Sequence, residues 1–259
     1  MSEDVLLIEK NAGVAVLTLN RPRQMNALSQ DLRRRFVAAV DALAGDDSIA
    51  VVIVTGTGEK AFTAGVDLKE FETAPLTPEE LGPDAAISRA LRALGKPTIA
   101  AVNGFAITGG MELAINCDII VASTTARFAD THARVGIVPG WGMSQILPRL
   151  IGPVRARYMS YTGNFVDAAT AKDWGLVLDV LPPGELMPYC RKLAAEIASC
   201  DRATLMDVRR LIASGLETTL AEGLEIEGRA SKAATLRMDR ANFAATREAV
   251  MARGKAQGG

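Results

Sequence analysis

Residues 98–122 read TIAAVNGFAITGGMELAINCDIIVA, and this stretch decides the fold class. Thr98 to Val102 is a short apolar run of the kind that forms a fully buried strand. A glycine-containing turn leads into an apolar helical stretch that begins at Gly109-Gly110. A second apolar strand is predicted from Asp118 to Ala122. A strand, a helix and a strand in succession predict an α/β architecture.

The preceding sequence extends this alternation. Val5 to Glu9 and Val14 to Asn20 are typical of two strands, and the glycine-containing turn between them predicts a hairpin. Ser29 is placed to cap a helix whose apolar residues recur at helical spacing as far as Gly45. The uniformly apolar run Val51 to Val54 predicts another buried strand.

The composition changes twice further along the chain. Proline and acidic residues dominate residues 70–84, which predicts a surface loop with one helical turn. After Pro182-Pro183-Gly184 the strand pattern stops, and the remaining residues are typical of helices. We therefore predict an α/β core of residues 1–195 and a helical C-terminal subdomain of residues 196–259.

Bulk composition excludes several classes of protein. The 259 residues are 49% hydrophobic and 23% charged, as in an ordinary globular protein. The 29 basic and 30 acidic side chains nearly balance, so no net charge favours nucleic acid or an anionic membrane. Neither a signal peptide nor an apolar run long enough to span a membrane is apparent.

The cysteines and the histidine limit the chemistry further. Three scattered cysteines in a chain of this size indicate free thiols and a reducing cytoplasm rather than a disulfide framework. With His132 as its one histidine, the chain has too few ligands at suitable spacing for a zinc site. We expect no metal and no separate cofactor.

Two common motifs are absent from the sequence. The glycine-rich run Gly56-Thr57-Gly58 follows a strand, but no helix start follows it to receive a pyrophosphate. There is also no G-x-S-x-G nucleophile elbow. Dinucleotide binding and serine-based hydrolysis are therefore not expected.

The turn before Gly109 offers a different kind of site. The first N–H groups of a helix lack intrahelical partners, so Gly109 is placed to donate to a developing oxyanion. Glu112 lies on the same helical face, three residues on. From these residues alone, a simple Gly-Gly turn with a surface Glu112 in the first helical turn is the favoured interpretation.

The segment KAFTAGVDLK, residues 60–69, resembles the A-F-x-A-G-x-D-[IL] segment of the crotonase (enoyl-CoA hydratase/isomerase) superfamily. The resemblance covers roughly the whole chain in order. Its other parts are Asn20-Arg21-Pro22, Met25-Asn26-Ala27-Leu28, the VNGFAITGGMELAINCDII segment, Phe128, Gly136-Ile137-Val138-Pro139-Gly140 and Ala171-Lys172-Asp173-Trp174-Gly175-Leu176.

This resemblance implies a fold and an assembly. Family members form a spiral of ββα units whose helical C-terminal region packs homotrimers, commonly paired into hexamers, and completes the coenzyme A site. The expected partner is an acyl-CoA or enoyl-CoA thioester, with CoA as part of the substrate.

The resemblance also implies site residues. The backbone N–H groups of Val66 and Gly109 correspond to the oxyanion hole. The surface that holds the adenine and pantetheine of CoA corresponds to Arg23, Ala27, Ala64, Gly65, Asp67 and Leu68. Core packing is an alternative role for Ala27 and Leu68. Arg253 is a candidate for the CoA phosphates, although its basic C-terminal region is equally compatible with a solvated helix face.

The sequence departs from the hydratase pattern in three places. Glu112 matches the first of two catalytic glutamates, but the second position is occupied by His132 in the segment Phe128-Ala129-Asp130-Thr131-His132. Asp130 is placed to orient the imidazole or to cap a turn. Trp141 stands where a small residue is usual and is expected to line the acyl pocket, or else to pack in the core. Thr108 breaks the usual run of three glycines.

Three functions remain open from the sequence. In the first, the protein is a 2-enoyl-CoA hydratase in which Glu112 activates water and His132 supplies the α-carbon proton. In the second, the same oxyanion hole serves another enolate reaction, such as isomerisation or decarboxylation. In the third, the protein binds acyl-CoA without catalysis because His132 replaces the second glutamate.

Overall fold

The computed structural model describes residues 4–74, 76–77, 80–81, 85–237, 247–248 and 250–255. Its strands are β1 (Leu6–Asn11), β2 (Val14–Leu19), β3 (Val51–Gly56), β4 (Ala61–Thr63), β5 (Thr98–Val102), β6 (Phe105–Ile107), β7 (Ile119–Ser123), β8 (Arg127–Ala129), β9 (Val166–Asp167) and β10 (Asp179–Leu181). Its helices are α1 (Gln30–Ala44), α2 (Leu68–Thr73), α3 (Ala86–Ala93), α4 (Gly109–Ile115), α5 (His132–Val135), α6 (Met143–Ile151), α7 (Pro153–Thr162), α8 (Ala168–Asp173), α9 (Pro183–Ala198), α10 (Arg202–Gly215) and α11 (Leu220–Arg237). Strands alternate with helices, which confirms the predicted α/β class.

The strands form two sheets. The first has the order β1-β2-β3-β5-β7-β10, and the second has the order β4-β6-β8-β9. From β3 to β8 the chain alternates between the sheets, because each strand of the first sheet is followed by a short strand of the second. Strands β2, β3, β5, β7 and β10 run parallel to one another, whereas β1 pairs with β2 as the predicted antiparallel hairpin. This winding is the expected spiral.

The central strands are mostly apolar, and both of their faces are buried. In β3, Val52 and Val54 belong to the main core with Leu17, whereas Val51 and Ile53 pack in a second core against α9. A strand covered on both faces loses the usual alternation of polar and apolar residues. The first sheet therefore lies between two apolar layers.

The predicted start and end of α1 are confirmed. The Ser29 hydroxyl accepts a hydrogen bond from the Leu32 N–H at 3.2 Å, and Gly45 is the C-cap. Leu32, Phe36 and Leu43 are almost fully buried, as their helical spacing predicts. An N-cap of this kind contributes about 1 kcal/mol to helix stability.

The chain divides into two compact units, residues 1–200 and 201–259. The first contains both sheets and α1 to α9; helix α9 continues to Ala198, past the predicted boundary at residue 195. The second contains α10, α11 and a further helical stretch at 250–255. Neither α10 nor α11 has a buried residue.

The predicted surface loop at 70–84 lies partly outside the described residues. Its first residues belong to α2, which accounts for the expected helical turn. Among the described helices, none combines the length and the apolar character that a membrane span requires.

Candidate functional site

Two backbone N–H groups from separate motifs come together in the structure. Gly109 is the first residue of α4, so its N–H has no acceptor within the helix. Val66 forms a parallel β-bridge with Leu28. The hydrogen bonds of this bridge are made by the two residues that flank Val66 and not by Val66 itself. The Val66 N–H therefore faces away from Leu28. Across the described ranges, neither N–H donates to a backbone acceptor.

The glycines around these amides allow the close approach. A Cβ on Gly109 would lie 3.5 Å from the Val66 nitrogen, and a Cβ on Gly65 would lie 3.0 Å from the Gly109 nitrogen. Gly65 also has a φ of +87°, which favours glycine. Val66 and Gly109 line the same cavity. The two N–H groups are thus neighbours on one wall of this cavity.

Glu112 is buried beside them. It is only 2% exposed, which rules out the alternative of an exposed glutamate in the first turn of α4. One carboxylate oxygen, Oε1, accepts hydrogen bonds from the Trp141 N–H at 2.8 Å and the Met143 N–H at 3.1 Å. Burial raises the pKa of Glu112 above its ordinary value, although the nearby His132 and these two N–H groups act in the opposite direction.

His132 faces Glu112 across the cavity. Its Nε2 lies 3.6 Å from the second carboxylate oxygen, Oε2, of Glu112. Its Nδ1 lies 2.7 Å from Oδ1 of Asp130, which also accepts the His132 backbone N–H at 3.2 Å. Asp130 therefore both orients the ring and accepts the N–H of the first residue of α5. With Nδ1–H donated to Asp130, Nε2 is the atom presented to Glu112.

Asp130 is itself almost fully buried. Burial alone would raise the pKa of Asp130, but the hydrogen bonds from the His132 ring and N–H lower it. The side chain is therefore ionised and a hydrogen-bond acceptor at neutral pH.

The cavity around these groups is largely apolar. Leu68, Val135 and Val138 line it with the two amide-bearing residues, and Trp141 forms a further wall. Ala64 borders it as well. Leu68 is 51% exposed, so the alternative of core packing is wrong for this residue.

The other residues of the predicted CoA surface lie outside the cavity lining. Ala27 is buried in the core, and its carbonyl accepts a hydrogen bond from Arg21 at 2.7 Å. Asp67 forms an ion pair with Arg21 at 2.8 Å. It also accepts the Lys69 N–H at the N-terminus of α2. Arg23 is exposed.

Arg253 belongs to the C-terminal unit. It is exposed on the helical stretch 250–255.

Sequence reasoning missed one wall of the cavity. Phe71, Leu76 and Leu81 line it, although their segment was interpreted only as a surface loop. The available signal was three large apolar residues at intervals of five in a stretch otherwise rich in proline and acid. Within the described part of the chain, no group of three or more His, Cys, Asp or Glu side chains is arranged to hold a metal ion.

Several known proteins resemble this chain in sequence and in fold over most of its length. An enoyl-CoA hydratase of Bacillus anthracis superposes with a TM-score of 0.86 and 34% identity, covering 95% of this chain and 96% of that one. A probable peroxisomal enoyl-CoA hydratase 1 of Arabidopsis thaliana is 37% identical over 98% of this chain and 96% of its own length. A crotonyl-CoA hydratase of Syntrophomonas wolfei is 37% identical over 88% of each chain.

The double-sheet spiral with its helical C-terminal region is therefore a crotonase-type fold. The family model described as enoyl-CoA hydratase/isomerase matches residues 9–250, and the chain belongs to that family.

Proposed function

We propose that this protein is a hydro-lyase that adds water to the double bond of a 2-enoyl-CoA thioester. The observation that carries the proposal is the pairing of Glu112 and His132, 3.6 Å apart, in the cavity that the Val66 and Gly109 N–H groups also border. Relatives named as enoyl-CoA or crotonyl-CoA hydratases, 37–40% identical over most of the chain, support the same reaction.

The two N–H groups act on the thioester carbonyl. Its oxygen accepts hydrogen bonds from Val66 and Gly109, which draws electrons away from the β carbon and stabilises the enolate that forms. Fixed donors of this kind are effective because they need no reorganisation during the reaction, and one donor is worth about 10²–10³ in rate.

Glu112 and His132 divide the proton transfers. The Glu112 carboxylate takes a proton from water as the water oxygen bonds to the β carbon. Protonated His132 then gives a proton from Nε2 to the α carbon, while Asp130 stabilises the ring charge. Transfer of the proton from Glu112 to His132 restores the starting state. General acid–base groups of this kind typically contribute about 10²–10⁴-fold each.

Turnover of crotonyl-CoA tests the reaction. Loss of the absorbance of the conjugated thioester is followed for wild type, Glu112→Gln and His132→Ala. Glu185→Gln, the same replacement at an exposed position in α9, is the control. Both site variants should lose activity and the control should retain it.

Each failure has a distinct meaning. A wild type that leaves crotonyl-CoA unchanged is not a hydratase of this substrate. If that wild type still binds saturated acyl-CoA, non-catalytic binding explains the cavity. If it converts a 3-enoyl-CoA or decarboxylates a malonyl-type thioester, another enolate reaction applies.

We propose that CoA runs from the cavity over the surface of Ala64, Gly65, Asp67 and Leu68. The exposed Leu68 beside the cavity supports this path. Arg23 and Arg253 are proposed to contact the nucleotide and its phosphates. Each Arg→Ala variant should raise KM for crotonyl-CoA with little change in kcat.

The protein is also proposed to assemble as a homotrimer or a dimer of trimers. Six large apolar side chains in α10, in α11 and in the link between them are exposed: Val208, Ile212, Leu216, Leu220, Leu224 and Leu236. An apolar surface of this extent is typical of an interface. Light scattering after size exclusion should give three or six times the monomer mass.

A reducing compartment such as the cytoplasm is the proposed location. Among the described residues, Cys117, Cys190 and Cys200 form no disulfide. Free cysteines are usual where thiols are kept reduced. Fractionation of the source cells would test this.

A further inference from the structure

Trp141 stands between two cavities. On one side is the cavity with Glu112 and His132, which has a volume of about 70 Å³. On the other is a cavity of about 550 Å³ between α1 and α3, bordered by the apolar side chains of Val37 and Ile87 and by the polar or charged residues Gln30, Asp31, Arg33, Arg34 and Glu80. Trp141 borders both. The larger one is in the range of small-molecule pockets, which run from about 300 to 1,000 Å³.

The indole is held firmly in this position. Trp141 is 4% exposed, and its Nε1–H donates to the Glu80 carbonyl at 2.7 Å. The Glu80 carboxylate in turn pairs with Arg33 at 2.8 Å. The Trp141 carbonyl accepts a hydrogen bond from Asn116 at 2.8 Å. Both the backbone and the ring are therefore fixed by partners on separate elements.

The ring also lies close to the reacting groups. Its Cζ3 would be 3.1 Å from a Cβ on Gly109, and the Trp141 N–H is bonded to Glu112. With the thioester oxygen at Gly109 and the β carbon at Glu112, an acyl chain that continues past the β carbon meets the indole. A short chain ends before this point, whereas a long chain needs the space behind the ring.

We propose that Trp141 closes the acyl end of the site and restricts the enzyme to short-chain acyl-CoA thioesters. This inference rests on the proposed function, because that function identifies the substrate as an acyl-CoA thioester. Removing the indole joins the two cavities, and the larger one, which Val37 and Ile87 border, then receives the end of a long chain. One methylene in an apolar pocket is worth about 10–200-fold in specificity.

The test is a series of 2-enoyl-CoA substrates with four, six, eight, ten and twelve carbons. Wild type should lose kcat/KM steeply beyond six carbons. In Trp141→Ala the ratio of ten-carbon to four-carbon kcat/KM should rise at least about 10-fold. Trp141→Phe, which keeps a ring in the same place, should keep the wild-type preference.

A second substitution fills the larger cavity from its far side. Ala86 borders that cavity but not the one with Glu112. Ala86→Phe alone should leave crotonyl-CoA turnover unchanged. Combined with Trp141→Ala it should abolish the gain for long chains. If Trp141→Ala does not fold, Trp141→Leu takes its place in both experiments.

Binding affinities for acyl-CoA test the role of Trp141 separately from the hydration reaction. Calorimetry with butyryl-CoA and decanoyl-CoA reports the chain-length limit without turnover. A wild type that binds butyryl-CoA more tightly than decanoyl-CoA but hydrates nothing supports the role of Trp141 and refutes hydration. A wild type that handles four-carbon and ten-carbon chains equally, or a Trp141→Ala variant with unchanged preference, overturns the role of Trp141.

Discussion

Nδ1 of His132 lies 2.7 Å from Oδ1 of Asp130, and both side chains are almost fully buried. This contact fixes which ring nitrogen points toward Glu112. The Asp130 carboxylate also stabilises the ring when it carries a proton. The proposed acid is therefore a pair of residues rather than the histidine alone.

Asp130→Asn should lower kcat about 10²-fold or more, with KM for crotonyl-CoA nearly unchanged. The amide keeps the size of the side chain but removes the charge, and it can hold the ring in the wrong tautomer, as in buried Asp–His pairs elsewhere. Steady-state kinetics measure the separate effects on kcat and KM. Asp167→Asn is the control, because Asp167 caps α8 outside the cavity lining. An unchanged kcat in Asp130→Asn would mean that Asp130 does no more than accept the His132 backbone N–H.

Glu112→Gln should make the protein more stable at neutral pH while it removes activity. The native pKa of Glu112 is raised above 4.5 by burial, so the protonated form stabilises the fold at low pH. That contribution is lost as the pH rises through the native pKa. The variant should therefore have a larger free energy of unfolding than wild type, and this margin should grow as the pH rises above 4.5.

Urea unfolding at a series of pH values measures this margin. Glu185→Gln provides the reference for replacing an exposed carboxylate in a first helical turn. A margin for Glu112→Gln that stays constant with pH, or that shrinks as the pH rises, would contradict the raised pKa.

Gly109→Ala should reduce kcat/KM about 10²–10³-fold, as the loss of one oxyanion donor does. The new methyl group would lie 3.5 Å from the Val66 nitrogen, in the space that the thioester oxygen requires, and 3.1 Å from the Trp141 ring. Gly184→Ala is a matched control, since its Cβ would meet no atom within 4 Å. Equal activity of the two variants would show that the oxygen binds elsewhere.

Much of the fold follows from local sequence patterns. The helix from Gln30 to Ala44 was predicted with its cap because capping and apolar periodicity are properties of neighbouring residues. The start of α4 at Gly109 followed from the glycine turn for the same reason. The three-residue strands of the second sheet were not predicted individually, since so short a run has no clear period of its own.

Contacts within the site were likewise predictable from local sequence only where the two residues are close together in the chain. Asp130 and His132 are two residues apart, so their possible pairing was visible in the sequence. Glu112 and His132 are twenty residues apart, and only the family resemblance suggested that they meet. The hydrogen bond from Trp141 to the Glu80 carbonyl depends on the tertiary fold, and nothing in either local segment predicted it.

Asp67→Asn should weaken the fold by about 1 kcal/mol at neutral pH, through its partly buried ion pair with Arg21. Asparagine retains the N-cap of α2, so the substitution isolates the charge. Burial alone would raise the pKa of Asp67, but Arg21 and the α2 N–H groups lower it below 3.8. The stabilisation is then present above pH 3.8 and is lost as the pH falls through the native pKa.

The free energies of unfolding in urea of wild type and Asp67→Asn should therefore differ at pH 7 and converge in acid. Asp41→Asn, at an exposed position on α1, is the control. A difference that is absent at pH 7, or that persists unchanged into acid, would mean that the ion pair does not hold the segment that carries Val66.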